Sequence, residues 1–108
     1  HYTKADDYDF SISKYLVDVK TRTKEYHTRT LEMVKQFHIK PKDIYVSVKL
    51  NMYNYTGHII GWVGRKDIER INRVENNGYL DNYVLYDKEL RDIDTLIYNI
   101  KKVEMLTS

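Results

Sequence analysis

The chain contains no cysteine. That single absence removes disulfide frameworks, thiolate metal sites and cysteine nucleophiles. The four histidines, His1, His27, His38 and His58, never fall at the i, i+4 spacing that sets two imidazoles on one helix face, which argues against a helical zinc site. One proline, Pro41, and four glycines leave no linker-like stretch, and no segment repeats, so 108 residues read as one domain. No apolar run is long enough to cross a bilayer, and no charged-then-apolar leader precedes the first acidic residues. A cytoplasmic protein with no membrane partner is the expectation. With 18 basic and 16 acidic residues the net charge is only +2, too small for a general pull toward polyanions.

What is present is unevenly distributed. Lys, Ile, Tyr and Asn are abundant, and their AT-rich codons suggest an AT-rich genome such as that of a phage or mobile element. Between Lys20 and Lys42 seven basic residues face only Glu25 and Glu32, directly after an acidic cluster of Asp6, Asp7, Asp9 and Asp18. Residues 7–12 and 15–21 alternate with period two around a turn at Ser13-Lys14 and read as paired strands. Leu31, Val34 and Phe37 stand at helical spacing, which predicts a helix from about Tyr26 to Phe37, stopped before Pro41. DIYVSVKL (43–50) and GHIIGWVG (57–64) read as two further strands. RKDIERI (65–71) reads as a short helix and NYVLY (82–86) as a short edge strand. A last helix is capped by Asp92 or Asp94 and carries Ile93, Leu96, Ile97, Ile100 and Val103. The sum is an α/β domain with a mixed central sheet flanked by helices. Its core covers about 1–64, and a C-terminal helical extension covers about 65–108.

The hairpin raises a chemical question. If cross-strand partners meet around Ser13-Lys14, Asp9 stands opposite Asp18 and Asp7 opposite Lys20, on one face with Ser11 and Leu16. The other face carries Tyr8, Phe10 and Ile12 against Val19, Val17 and Tyr15, a continuous apolar surface suited to a core. A one-residue slip would mix the two faces, so the pattern supports the register. Opposed residues have Cβ atoms roughly 4.5–5.5 Å apart. Two ionised carboxylates that close need a cation, a shared proton or ample water. Oxygen donors of this kind suit Mg2+ or Mn2+, held by one or two carboxylates and substrate phosphate. The plainer alternative is a solvated strand face with Lys20 paired to Asp7, a contact worth little.

In DYDF followed by VDVKT, Asp9, Asp18 and Lys20 resemble the PD-(D/E)XK nuclease superfamily, with its restriction endonuclease-like and Holliday-resolvase-like fold. The resemblance covers roughly the first 60 residues. It implies a divalent-metal-dependent DNA nuclease in which Asp9 and Asp18 hold Mg2+ or Mn2+ and Lys20 orients or polarises the attacking water. The superfamily's additional Glu, on a helix before the Asp strand, has no assignable counterpart before Tyr2, so that either this helix lies upstream or the site is incomplete and the protein binds rather than cuts. Arg22, Lys24, His27 and Arg29 follow as candidates for DNA phosphate contacts, against an ordinary basic helix start. Tyr53 and Tyr55 suit base stacking, packing or a partner contact, and Trp62 suits the core. Two alternatives remain beside the enzyme. One is a non-catalytic nuclease-like module that binds nucleic acid or a protein. The other is a homodimer or higher oligomer formed through exposed strand edges.

Overall fold

The computed structural model describes residues 8–12, 14–24 and 28–107. Strands β1 (Tyr8–Ile12) and β2 (Tyr15–Arg22) form the expected hairpin, with Tyr8 opposite Val19, Asp9 opposite Asp18 and Phe10 opposite Val17. Asp7 lies outside the described residues. Next to β2 runs β4 (Ile44–Asn51), parallel to it, and next to β4 runs the antiparallel β5 (Thr56–Gly64). The mixed sheet has the order β1-β2-β4-β5.

Parallel neighbours cannot be joined by a tight turn, so the chain must leave the sheet between Arg22 and Ile44 and return. It does so through β3 (Arg29–Met33) and α1 (Val34–Ile39). The helix expected from Tyr26 to Phe37 is therefore corrected: within the described residues its first half is a strand, and α1 begins at Val34. The reason is visible in the exposure pattern. Thr30 and Glu32 are buried while Arg29, Leu31 and Met33 are exposed, a period of two with the polar residues inward. Apolar spacing gives no hint of such a strand.

β3 belongs to a second, antiparallel sheet of order β3-β7-β6, with β6 at Val74–Asn77 and β7 at Leu80–Tyr86. NYVLY thus lies in a central strand, not in an edge strand. Helix α2 (Arg65–Ile71) matches the expected short helix, and α3 (Ile93–Thr107) the last one. Asp92 caps α3, its Oδ1 accepting from Asp94 N at 2.9 Å.

Both faces of the mixed sheet are covered. On one, Val17, Ile44, Val46 and Trp62 pack against Leu96 and Ile100 of α3, with Ile12, Tyr15 and Val19 of the hairpin alongside. Fully burying side chains of this size stabilises by about 1.5–3 kcal/mol each. On the other face Tyr45 and Val63 meet Phe37 of α1, Ile68 of α2 and Tyr83 and Leu85 of β7. Residues 65–107 therefore contribute to both cores and supply the middle strand of the second sheet. Trp62 joins the layers: its backbone exchanges two hydrogen bonds with Arg91, at 3.0 and 2.8 Å, and its indole Nε1 donates to Asp92 O at 3.0 Å. Among the described residues no helix is long and apolar enough to cross a membrane.

Candidate functional site

Side chains alternate along a strand, so Asp18, Lys20 and Arg22 leave β2 on the face opposite Val17 and Val19. Because Val17 and Val19 pack under α3, the charged face is turned toward the second sheet. The sequence pointed to an open face, yet the crossover carries β3 over it, and Asp18 is only 4% exposed. The register puts Asp18 beside Tyr45 and Lys20 beside Ser47 on β4, with Asp9 at the position opposite Asp18 on β1.

Lys20 is the hub. Its Nζ lies 3.1 Å from Asp18 Oδ2 and 2.6 Å from Glu32 Oε1 on β3. Glu32 is also 4% exposed, so two buried carboxylates share one ammonium group. Charge-assisted contacts of this length are the strong class of hydrogen bond. Sequence reasoning did not single out Glu32 as a site residue. The only available signal was the alternation of Thr30 and Glu32 with bulkier neighbours, and it was masked by the helical spacing of Leu31, Val34 and Phe37.

One turn of the strand further along, the polar contacts form a closed set. Arg22 donates to both carboxylate oxygens of Asp87, at 3.2 and 2.7 Å, and to Thr30 Oγ1 at 3.2 Å. The Thr30 and Ser47 hydroxyls lie 2.6 Å apart. Arg22 is thus a buried structural cation, 9% exposed, turned inward to β3 and Asp87. Arg29 is exposed but bridges Glu75 at 2.6 Å, Lys24 is exposed, and His27 lies outside the described residues. Of the described residues expected to contact phosphates, Arg22 is turned inward while Lys24 and Arg29 are exposed.

The Lys20 cluster opens instead into a cleft of about 340 Å3. Asp18, Lys20 and Glu32 line it together with Leu31 and Met33 of β3, Gln36 of α1 and Asn82 of β7. Lys40 and Lys42, from the loop between α1 and β4, complete the wall. Burial pushes the Tyr45 phenol up to about 12, and the nearby carboxylates of Glu32 and Asp18 add to the effect. Tyr45 is therefore neutral at physiological pH, and its hydroxyl accepts from Lys42 N at 2.9 Å. The charge of the cleft rests on its carboxylates and lysines.

Carboxylate oxygens are the donors that hard cations take. Asp18 and Glu32 supply carboxylate oxygens, and Mg2+ needs one or two such groups alongside water and substrate oxygens. The described residues fit that requirement, although they hold no group of three or more His, Asp or Glu side chains placed around a single point. A second cavity, of about 310 Å3, lies on the α3 face against Trp62, Leu96 and Ile100, and the Arg65 at its edge is tied to Asp43 at 3.2 Å. Comparisons of the chain with protein-family models, with curated proteins and with solved structures find no match.

Proposed function

We propose that the chain is a divalent-metal-dependent DNA nuclease with a restriction endonuclease-like core, hydrolysing phosphodiester bonds in the cleft above β2. The observation that carries this reading is the pairing of Asp9 with Asp18 across the hairpin, two residues before a lysine whose Nζ touches Asp18 at the base of a polar cleft. Asp9 and Asp18 would hold Mg2+ or Mn2+. When bound, the ion supplies a more acidic water and neutralises charge on the phosphate. Lys20 orients that water or a phosphate oxygen through its ammonium protons. Glu32 holds the Lys20 ammonium group from the β3 side. The buried setting strengthens each of these interactions relative to water.

A second reading has its own observation. Both buried carboxylates are already engaged with Lys20, so an entering ion must compete with an ammonium group, which favours a non-catalytic module that binds nucleic acid or a protein. Thermal melts separate the two. A ligand present at a hundredfold excess over its dissociation constant stabilises the folded state by about 2.7 kcal/mol. For a domain of this size each kcal/mol shifts the melting point by roughly 4–8 °C. The nuclease reading expects such a rise with millimolar Mn2+ or Mg2+, abolished in Asp9→Asn and Asp18→Asn, and DNA cleavage lost in Lys20→Met. A melt indifferent to both metals together with intact DNA would hand the site to the binding-module reading.

A further inference from the structure

We infer that the outer edge of β5 is a self-association surface, where a second copy of this chain lays its own β5 antiparallel and joins two four-stranded sheets into one. The inference is independent of the nuclease reading. Its first observation is a local absence of charge. From Leu50 to Gly64, between Lys49 and Arg65, no Asp, Glu, Lys or Arg occurs, in a chain that is 31% charged. Strands at sheet edges are usually guarded against pairing by charged side chains, proline or bulges. Among the described residues four strands lie at sheet edges: β1 holds Asp9, β3 holds Arg29 and Glu32, β6 holds Glu75, and β5 holds no charged residue.

The second observation is exposure. β5 divides at Ile60, which the register with β4 skips as a bulge between the pairs Ser47–Gly61 and Val48–Ile59. Beyond the bulge the edge is taken, with Gly61 against Leu90 and Arg91 and Trp62 bridged to Arg91. That bridge is antiparallel, so the edge already accepts a neighbour in this sense. Before the bulge Thr56, Gly57, His58 and Ile59 are all exposed. The exposure of Gly57 is that of the backbone itself. Among the described residues Gly57, His58 and Ile59 make no backbone hydrogen bond beyond β4. The loop leading into the strand adds Met52, Tyr53 and Tyr55, all exposed, as groups that an edge-to-edge contact can cover. A second copy matches this chemistry. In a two-fold antiparallel pairing each residue meets the same uncharged segment, so no like charges are opposed, and each protomer contributes both an edge and an aromatic loop. β4 separates β5 from β2, so Asp18 and Lys20 take no part in the pairing.

The test is sedimentation velocity of the whole chain from micromolar to submillimolar concentration, with hydrogen exchange measured on the same samples. Wild type should pass from monomer to dimer as concentration rises, and the amides of residues 56–60 should exchange several-fold more slowly in the dimer. Ile59→Lys brings two like charges to the paired edges and should raise the dimer dissociation constant by about tenfold or more, an effect that added salt reduces. Ile97→Lys makes the same change at a residue of similar exposure on α3 and should leave the constant unchanged. The exchange measurement needs no substitution, so it decides the matter even if Ile59→Lys fails to fold. Protein that stays monomeric at every concentration overturns the assignment and leaves the edge to a strand of a different protein. A dimer that Ile59→Lys leaves intact, that Ile97→Lys weakens equally, or whose residues 56–60 exchange as fast as in the monomer overturns it as well.

Discussion

Replacing Lys20 by methionine removes the one cation that lies between two buried carboxylates. Asp18 Oδ2 and Glu32 Oε1 lie 3.1 and 2.6 Å from its Nζ, and the side chain is 14% exposed, so little water is at hand to take over. Breaking a buried pair by removing one partner costs about 3–5 kcal/mol, because the remaining charge is left uncompensated. At roughly 4 °C or more per kcal/mol, Lys20→Met should melt about 12 °C or more below wild type at neutral pH. Glu32→Gln should cost less, about 1.5–3 kcal/mol, since Lys20 keeps Asp18 as a partner. The double variant should recover part of the Lys20→Met deficit, a coupling that a double-mutant cycle measures directly. Two further readouts follow from the charges. The two carboxylates left in Lys20→Met take up a proton jointly. The folded variant then binds that proton more tightly than the unfolded chain, so its deficit should shrink as pH falls toward 5. Millimolar Mn2+ should also restore melting temperature more in Lys20→Met than in wild type, because the ion no longer competes with an ammonium group. A Lys20→Met deficit below about 1 kcal/mol, typical of solvated surface pairs, would refute the buried-hub account.

Two other perturbations test the frame that holds the site. Hydrogen bonds from Arg91, then from Gly64 N and Arg70, outweigh burial and hold the Asp67 carboxyl well below the usual carboxylate range. Asp67→Asn should therefore destabilise by about 1.5 kcal/mol at pH 7, the low end for bonds to a charged group because Arg91 is half exposed. The advantage of wild type should be complete above the unfolded value of about 4 and disappear as pH falls through the lower folded value, a window that pH-dependent melts reveal. Gly61→Ala would place a Cβ 2.7 Å from Arg91 O and 2.8 Å from Leu90 Cβ, against backbone that cannot yield without losing the Trp62–Arg91 bridge. It should cost about 1–3 kcal/mol and shift the fluorescence of Trp62, the single tryptophan; an unchanged melt and spectrum would show that the bridge is not constrained there.

The hairpin was legible because its two faces differ in kind. Val17 and Val19 belong to one core and Asp18 and Lys20 to the cleft, so only one register satisfies both. β4 was legible as a strand, although both of its faces proved buried, Ile44 and Val46 under α3 and Tyr45 under the second sheet. α2 and α3 carried local signals, an apolar stripe in each and Asp92 at the start of the second. β3 carried none. Thr30 and Glu32 are tolerated inside only because Ser47, Arg22 and Lys20 meet them there, partners 8 to 17 residues away in sequence. Inward polarity of this kind reverses the rule by which strands are read. The same reversal hid Glu32 and made the charged hairpin face look exposed. VENN of β6 offers no apolar alternation, and its pairing with β7 is settled by the sheet as a whole.

The two polar clusters along β2 differ in a way that bears on function. Around Arg22 the contacts run between the sheets: Asp87 receives two guanidinium hydrogen bonds, Thr30 a third, and Thr30 in turn meets Ser47. Such a cluster satisfies the polar groups that two stacked sheets bury, and its work is structural. The Lys20 cluster is buried to a similar degree but faces a cleft, and it gathers two carboxylates on one ammonium group. Stability alone does not call for that arrangement, since a buried ion cluster typically gains little over apolar packing of the same volume. It lies at the base of a cleft that Lys40 and Lys42 also line, the setting that the proposed phosphate chemistry would use. Arg22 and Lys20 sit two residues apart on the same strand face, and it is Lys20 that lines the cleft in which the proposed chemistry would take place.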